Sequence, residues 1–246
     1  MLPHVLNAIP EVERFYSQAV AHSTNDMARA TTEFPDNGIF VFQADCQTTG
    51  RGRRGTPWFS GDEGGLAATI LSPLSSLEAH FSHNRALSCG ICEAIESATN
   101  KAVSCSIKWP NDIYMGNKKV CGILLESHPA RNDMLILGFG INVNIHQSAF
   151  PPDLQPVATS LALETKHHFS LSRILASVIG RYCANRSIDQ TAAQRSYEAR
   201  LYGLGRRITV DGAKGTFDAV EADGRLRINT GHEVVYKVSG HLQFID

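Results

Sequence analysis

The sequence has no apolar run near the ~20 residues a membrane-spanning helix needs. It also has almost no net charge: 23 Lys and Arg stand against 24 Asp and Glu, a formal charge of −1. No global field draws the chain to nucleic acid or an anionic bilayer, so any basic function has to be local. The N-terminal Met1-Leu2-Pro3-His4-Val5-Leu6-Asn7 lacks a basic stretch and a long apolar core. It does not read as a signal peptide, and a cytoplasmic protein without membrane contacts is expected. Internal repeats and low-complexity tracts are absent. Cys46, Cys89, Cys92, Cys105, Cys121 and Cys183 show no disulfide framework in their spacing. The one tight pair, Cys89-x-x-Cys92, has no second ligand pair at matching spacing and falls in an apolar-periodic stretch. Two core cysteines are a better reading than half a zinc site.

What is present is the balance of a folded globular chain: 43% apolar and 19% charged residues over 246 positions. That suffices for one packed core and a small second domain. Arg14 to Ala21 reads as a first strand. Ser23 and Asp26 resemble a capping box opening a short helix to about Thr31. Gly38 to Ala44 and Leu66 to Leu71 are short apolar runs of the buried-strand type, the second stopped near Pro73. Leu87, Ile91 and Ile95 mark one face of a long helix. Ser104 to Trp109 and Lys119 to Glu126 read as an antiparallel pair linked through Tyr114-Met115-Gly116-Asn117. Leu135 to Ile145 is a further strand, and Pro151, Pro152 and Pro156 make a loop. Leu171, Ile174, Leu175, Val178, Ile179 and Tyr182 mark a second amphipathic helix. A third is expected from Thr191 to about Tyr202. Beyond Gly205, the short runs 207–210, 215–220, 226–229 and 234–238 alternate with Asp-Gly and Thr-Gly turns, the texture of a small barrel. The expected class is α+β: a mixed, mainly antiparallel sheet with helices over residues 1–202, then a small C-terminal β-barrel over 203–246.

Four segments carry chemistry. In Gly50-Arg51-Gly52-Arg53-Arg54-Gly55, glycines let backbone N–H groups approach a phosphate, and arginines add permanently charged forked donors. The same loop also reads as a solvated basic turn or a single-strand RNA contact. Its isolation in a neutral chain, and the Thr56-Pro57-Trp58-Phe59-Ser60 that follows, argue against RNA. Lys108-Trp109-Pro110-Asn111-Asp112 places polar side chains at a strand end, where they suit a nucleotide, Mg²⁺ or a plain Asx turn. In Lys118-Lys119-Val120-Cys121-Gly122-Ile123-Leu124-Leu125-Glu126, Lys119 is placed to reach a carboxylate, while Lys118 fits an edge-strand role. Gly138-Phe139-Gly140-Ile141-Asn142 has alternate glycines, a sign of close approach by a ligand or another backbone. His80 and His83 fit a solvated helix face better than a metal pair, and His167-His168 fits a loop.

These segments, in this order, resemble the biotin–protein ligase family. Ser23-Thr24-Asn25, Gly-Arg-Gly-Arg-Arg-Gly, Lys-Trp-Pro-Asn-Asp, Lys-x-x-Gly-Ile-Leu-x-Glu, Gly-x-Gly-Ile-Asn-x-Asn and Ala158-Thr159-Ser160-Leu161 carry the resemblance from about Arg14 to the C-terminus. It implies a catalytic domain related to class II aminoacyl-tRNA synthetases, with an SH3-like barrel behind it. It implies that biotin and MgATP give biotinyl-AMP and pyrophosphate, and that a lysine of a biotin carboxyl carrier protein domain then takes the biotin. By motif, Ser23, Thr24, Asn25, Gln47, Arg51, Gly52, Arg53 and Lys119 would contact biotin. Gly50, Arg51, Arg53, Arg54, Trp58, Lys108, Asn111 and Asn142 would contact ATP or the adenylate. Arg53, Lys108, Asp112 and Lys119 would carry catalysis, with Mg²⁺ arriving on ATP near Asp112, and Lys108 and Asp112 organising phosphate and metal.

The sequence departs from the family pattern at Ala67, where a larger residue is usual, at Cys121, and at Gly240-His241-Leu242. Ala67 would leave the pocket roomier or let another side chain fill it. Some relatives carry an N-terminal winged helix; here the first strand starts within twenty residues, so specific DNA binding is not expected. Oligomeric state stays open, a homodimer included. The nearest rival is a lipoate or octanoate ligase of the same fold, which the loop and Lys-Trp-Pro-Asn-Asp fit poorly. A non-enzymatic nucleotide- or RNA-binding protein is a rival of a different class.

Overall fold

The computed structural model describes residues 6, 8–61, 63–76 and 79–245. Of the N-terminal heptapeptide, only Leu6 falls among them, so the signal-peptide reading lies outside the described residues. Seven strands form the large sheet: β1 (Val12–Ala21), β2 (Ile39–Gln47), β3 (Gly65–Pro73), β4 (Cys105–Lys108), β5 (Asp112–Met115), β6 (Lys118–His128) and β7 (Arg131–Asn142). Their order is β1-β2-β3-β7-β6-β5-β4, parallel only between β1 and β2. Among the described residues five α-helices accompany them: α1 (Thr24–Ala30), α2 (His80–Ala98), α3 (Leu161–Thr165), α4 (Leu171–Arg186) and α5 (Gln190–Glu198).

Both faces of the central strands are covered, which is why their sequences read as continuous apolar runs. Ile39, Val41, Ile70 and Leu137 join the core beneath α2 and α4. Phe40, Phe42, Leu71 and Ile136 pack with Ala28 of α1 on the other face. Leu87, Ile91 and Ile95 are fully buried along α2, as their spacing predicts. Burial of each such side chain contributes about 1.5–3 kcal/mol.

Three expectations need correction. Ser104–Trp109 does not pair with Lys119–Glu126; β5 lies between and pairs with both β4 and β6. Pro110 cannot continue β4, so the chain turns back and four residues suffice to bury Ile113 and Met115. The Gly116-Asn117 turn then joins β5 to β6, with Gly116 at φ +56°. The third long helix stops at Glu198, short of Tyr202. Ser23 is the N-cap of α1, but its hydroxyl accepts from Asn25 N at 3.2 Å. Asp26 completes no capping box, because Arg51 takes its carboxylate.

The C-terminal segment is a five-stranded antiparallel sheet, β8 (Arg207–Val210), β9 (Ala213–Val220), β10 (Leu226–Asn229), β11 (Val234–Lys237) and β12 (Leu242–Phe244). Its order is β11-β10-β9-β8-β12. Strand β12 has three residues with a polar centre, too short to show a pattern in the sequence. Phe217, Val220 and Leu226 share one apolar cluster with Ile107 and Trp109. The Trp109 indole N–H donates to the Gly224 carbonyl at 3.0 Å, tying the turn after β4 to this sheet.

Candidate active site

One register row crosses six strands: Ala44, Ala67, Gly140, Gly122, Asp112 and Lys108. Four small residues thus make a trough that ends in a carboxylate and an ammonium. Trp58 lies on its floor. A methyl added to Gly140 would come within 2.4 Å of the Trp58 ring, and one on Gly122 within 2.9 Å. In the next row a methyl on Gly138 would meet Asn25 Oδ1 at 2.0 Å. The alternate glycines therefore admit two side chains, Asn25 and Trp58, rather than another backbone. Ala67 continues the trough beside Gly140. Above it opens a cleft of about 330 Å³, bounded by the start of α1, the Gly/Arg loop, the Trp109-Pro110-Asn111 turn and the Gly240-His241-Leu242 edge.

One wall is a buried hydrogen-bond network. Ser23, Thr24 and Asn25 are each about 4% exposed or less. Gln47 Oε1 accepts from Thr24 N at 2.8 Å and from the Thr24 hydroxyl at 3.2 Å, while its Nε2 donates to Ser60 Oγ at 3.1 Å. The Thr69 hydroxyl lies 2.8 Å from Thr24 Oγ1 and 2.7 Å from Asn25 Oδ1. Asn25 Nδ2 donates to Glu126 at 2.7 Å, and Arg29 pairs with the same carboxylate at 2.6 Å. Every polar group of this wall thus has a fixed orientation.

The other wall is charged. The loop from Gly50 to Trp58 is a small hairpin: Trp58 N donates to Gly50 O and Gly52 N to Thr56 O. Its tip carries positive φ at Arg54 and Gly55. The Arg51 guanidinium grips Asp26 through two bonds, of 2.8 and 2.5 Å, and holds that carboxyl below its usual range. Arg54 meets Asp211 of β8–β9 at 3.1 Å. Arg53 turns inward to Asn111 Oδ1 at 3.2 Å; burial lowers its pKa. Lys119 Nζ lies 2.7 Å from Asp112 Oδ1 and 5.5 Å above the Trp58 ring. Lys108 faces Tyr114 and Phe244, and burial lowers its pKa. Arg53, Lys108 and Lys119, with Asp112 beside them, suit a ligand with several negative charges.

Of the residues singled out above, Ser23, Thr24, Asn25, Gln47, Arg51, Gly52, Arg53, Arg54, Trp58, Lys108, Asn111, Asp112 and Lys119 all line this cleft. Two do not. Gly50 holds the base of the hairpin through its carbonyl. Asn142 is 4% exposed and donates to the Thr159 carbonyl at 3.0 Å, so it braces β7 against the segment before α3. From the sequence, Thr69 has no site role, Asp26 is named only as part of a helix cap, and His241 only as a departure from the family pattern. Thr69 had a signal: it is one of two hydroxyls, with Ser72, inside the buried run 66–72. Cys89 and Cys92 are buried in α2, and no group of three His, Cys, Asp or Glu able to hold a metal occurs among the described residues. His83 is not solvated as expected; it is buried against the Tyr182 hydroxyl at 2.8 Å.

Residues 18–144 match the biotin/lipoate A/B protein ligase family. The chain is 30% identical over 209 residues to the bifunctional ligase/repressor BirA of Bacillus spizizenii, across 81% of this chain and 63% of that protein. It is 29% identical over 203 residues to the biotin–[acetyl-CoA-carboxylase] ligase of Paracoccus denitrificans, across 77% of this chain and 84% of that one. Among solved structures it is similar to the biotin protein ligase of Aquifex aeolicus in complex with biotin and ATP. There the TM-score is 0.81 at 27% identity, over 94% of this chain and 98% of the other. The chain thus spans slightly under two thirds of the bifunctional relative, which is longer.

Proposed function

Since the chain belongs to the biotin/lipoate A/B protein ligase family, we propose that it is a biotin–protein ligase acting on a biotin carboxyl carrier protein domain. The observation that carries the proposal is the meeting, in one cleft, of a preset polar wall at the start of α1 with Arg53, Lys108 and Lys119. In the first half-reaction a biotin carboxylate oxygen attacks the α-phosphorus of ATP. The bond to the β-phosphate oxygen breaks, giving biotinyl-AMP and pyrophosphate. Two anions approach one another in that step, so cations fixed beforehand lower its barrier. Lys119 is assigned to the biotin carboxylate, Arg53 and Lys108 to phosphate oxygens, Trp58 and Asn111 to the nucleotide, and Ser23, Thr24, Asn25 and Gln47 to the biotin ring system. In the second half-reaction the acceptor lysine amine attacks the acyl carbon, AMP leaves, and the amine proton is lost.

Mg²⁺ would come bound to ATP. Among the described residues Asp112 is the single carboxylate lining the cleft, which fits an ion held mainly by phosphates and water. The loop of Gly50–Gly55 is read as a lid that keeps water from the adenylate. The C-terminal five-stranded sheet is read as an SH3-like barrel, starting near residue 203, behind a catalytic domain of class II synthetase type. The test is mass spectrometry of a carrier domain after incubation with the chain, biotin and MgATP. One added biotinyl group on one lysine is the expected result, and an unmodified carrier would sink the proposal. The matched family also covers lipoate ligases; lipoate-dependent but not biotin-dependent pyrophosphate exchange would favour that reading instead.

A further inference from the structure

A second cavity, of about 230 Å³, opens between α2, α4 and α5 and shares no lining residue with the cleft. Its walls include Ser82, His83, Arg85, Glu93, Asn185 and Arg186. Arg85 is 2% exposed. Its guanidinium donates to Gln194 Oε1 at 2.8 Å and to Gln190 Oε1, and lies 5.8 Å from the Phe81 ring centre. Among the described residues no carboxylate pairs with Arg85 or with Arg186. Glu93 is engaged by Arg181 at 3.4 Å, and Glu198 accepts from the Gln194 amide. His83 adds no charge, because burial pushes its pKa down to about 4. The cavity therefore holds a buried cation answered only by neutral amide oxygens, with a second cation at its rim.

A desolvated guanidinium without a counter-charge is costly, and its five donors exceed the two partners it has. We propose that this cavity is a binding site for a small oxyanion, a phosphate or a carboxylate. Arg85 supplies the buried charge, Arg186 the rim charge, and Ser82 and Asn185 neutral polar groups. The site is independent of the ligase reading, since it touches none of the cleft residues.

The test is a ¹⁵N NMR titration of the whole chain with inorganic phosphate, repeated with acetate, at fixed ionic strength. Saturable shifts at Cys89, Glu93, Asn185 and Gln190 are expected, with the midpoint weakened roughly tenfold or more in Arg85→Gln. Tighter saturation by phosphate assigns a phosphate ligand, and tighter saturation by acetate a carboxylate. Shifts confined to cleft residues such as Trp58, or linear in both anions, would overturn the proposal. If Arg85→Gln does not fold, Arg186→Gln at the exposed rim decides, and an unchanged midpoint there counts against the site.

Discussion

Thr24 and Arg54 lie across the same cleft, yet they are held by forces of different kinds. Thr24 is 3% exposed and fixed by Gln47 and Thr69 through three bonds. Arg54 is exposed and reaches one carboxylate, Asp211, that is itself on the surface. Buried bonds do not exchange readily with water, so the first wall keeps its shape without a ligand. Exposed ion pairs contribute little and are screened by salt, so the second wall can open at small cost. On the proposed function this is a division of labour: one wall would recognise, the other would admit, cover and release.

The largest break is expected where the walls meet. Lys119→Met removes the ammonium assigned to the reacting carboxylate. Biotin-dependent pyrophosphate exchange should fall about 10²- to 10³-fold. A rate within threefold of the unsubstituted chain would place that carboxylate elsewhere. Arg53→Gly comes next. It removes the inward arginine of the hairpin and its bond to Asn111. The adenylate should leave roughly 10- to 100-fold faster and label lysines indiscriminately. Retention of the adenylate with strict acceptor choice would take this role from Arg53.

How much of the two walls was legible follows from the same contrast. The charged wall shows in residue types, because Arg, Lys and Asp near glycine and proline are conspicuous in any sequence. The network wall shows less. Gln47 and Thr24 came from a motif, but Thr69 gained meaning only when β3 set it opposite Gly138, where the missing side chain makes room for Asn25. Cross-strand register is non-local, and no window of sequence contains it. The strands of the large sheet were readable, the central ones from apolar runs, except β5, where Ile113 and Met115 fill a strand too short to display alternation. Asn142 carried a motif yet points to Thr159, since a motif does not state which face of a strand its residues occupy.

Thr69→Val tests the recognising wall directly. It keeps the shape and deletes the hydroxyl bonded to Thr24 and Asn25. Biotin binding should weaken about tenfold by calorimetry, the consequence of leaving buried groups unpaired, and the loss should be independent of salt. An unchanged affinity would mean that the network holds α1 but does not order the site.

The smallest effect is expected at the outer latch, and its salt dependence is what makes it informative. Arg54→Ala cuts the tie between the hairpin tip and the C-terminal sheet while leaving the Arg51–Asp26 clasp in place. At low ionic strength the adenylate should escape about two- to threefold faster; with added salt the difference should vanish, because screening has already loosened the pair in the unsubstituted chain. Acid separates the clasp from the latch no further, since both Asp26 and Asp211 are held below their usual range by arginine. Each pair is intact above the unfolded-state value of 3.8 and fails only as pH falls through its depressed folded-state value. Salt at neutral pH is therefore the cleaner variable. A release rate in Arg54→Ala that stayed elevated at high salt would show the arginine acting on the ligand itself rather than on Asp211, and the tip of the hairpin would then belong with Arg53 among the groups that hold the adenylate.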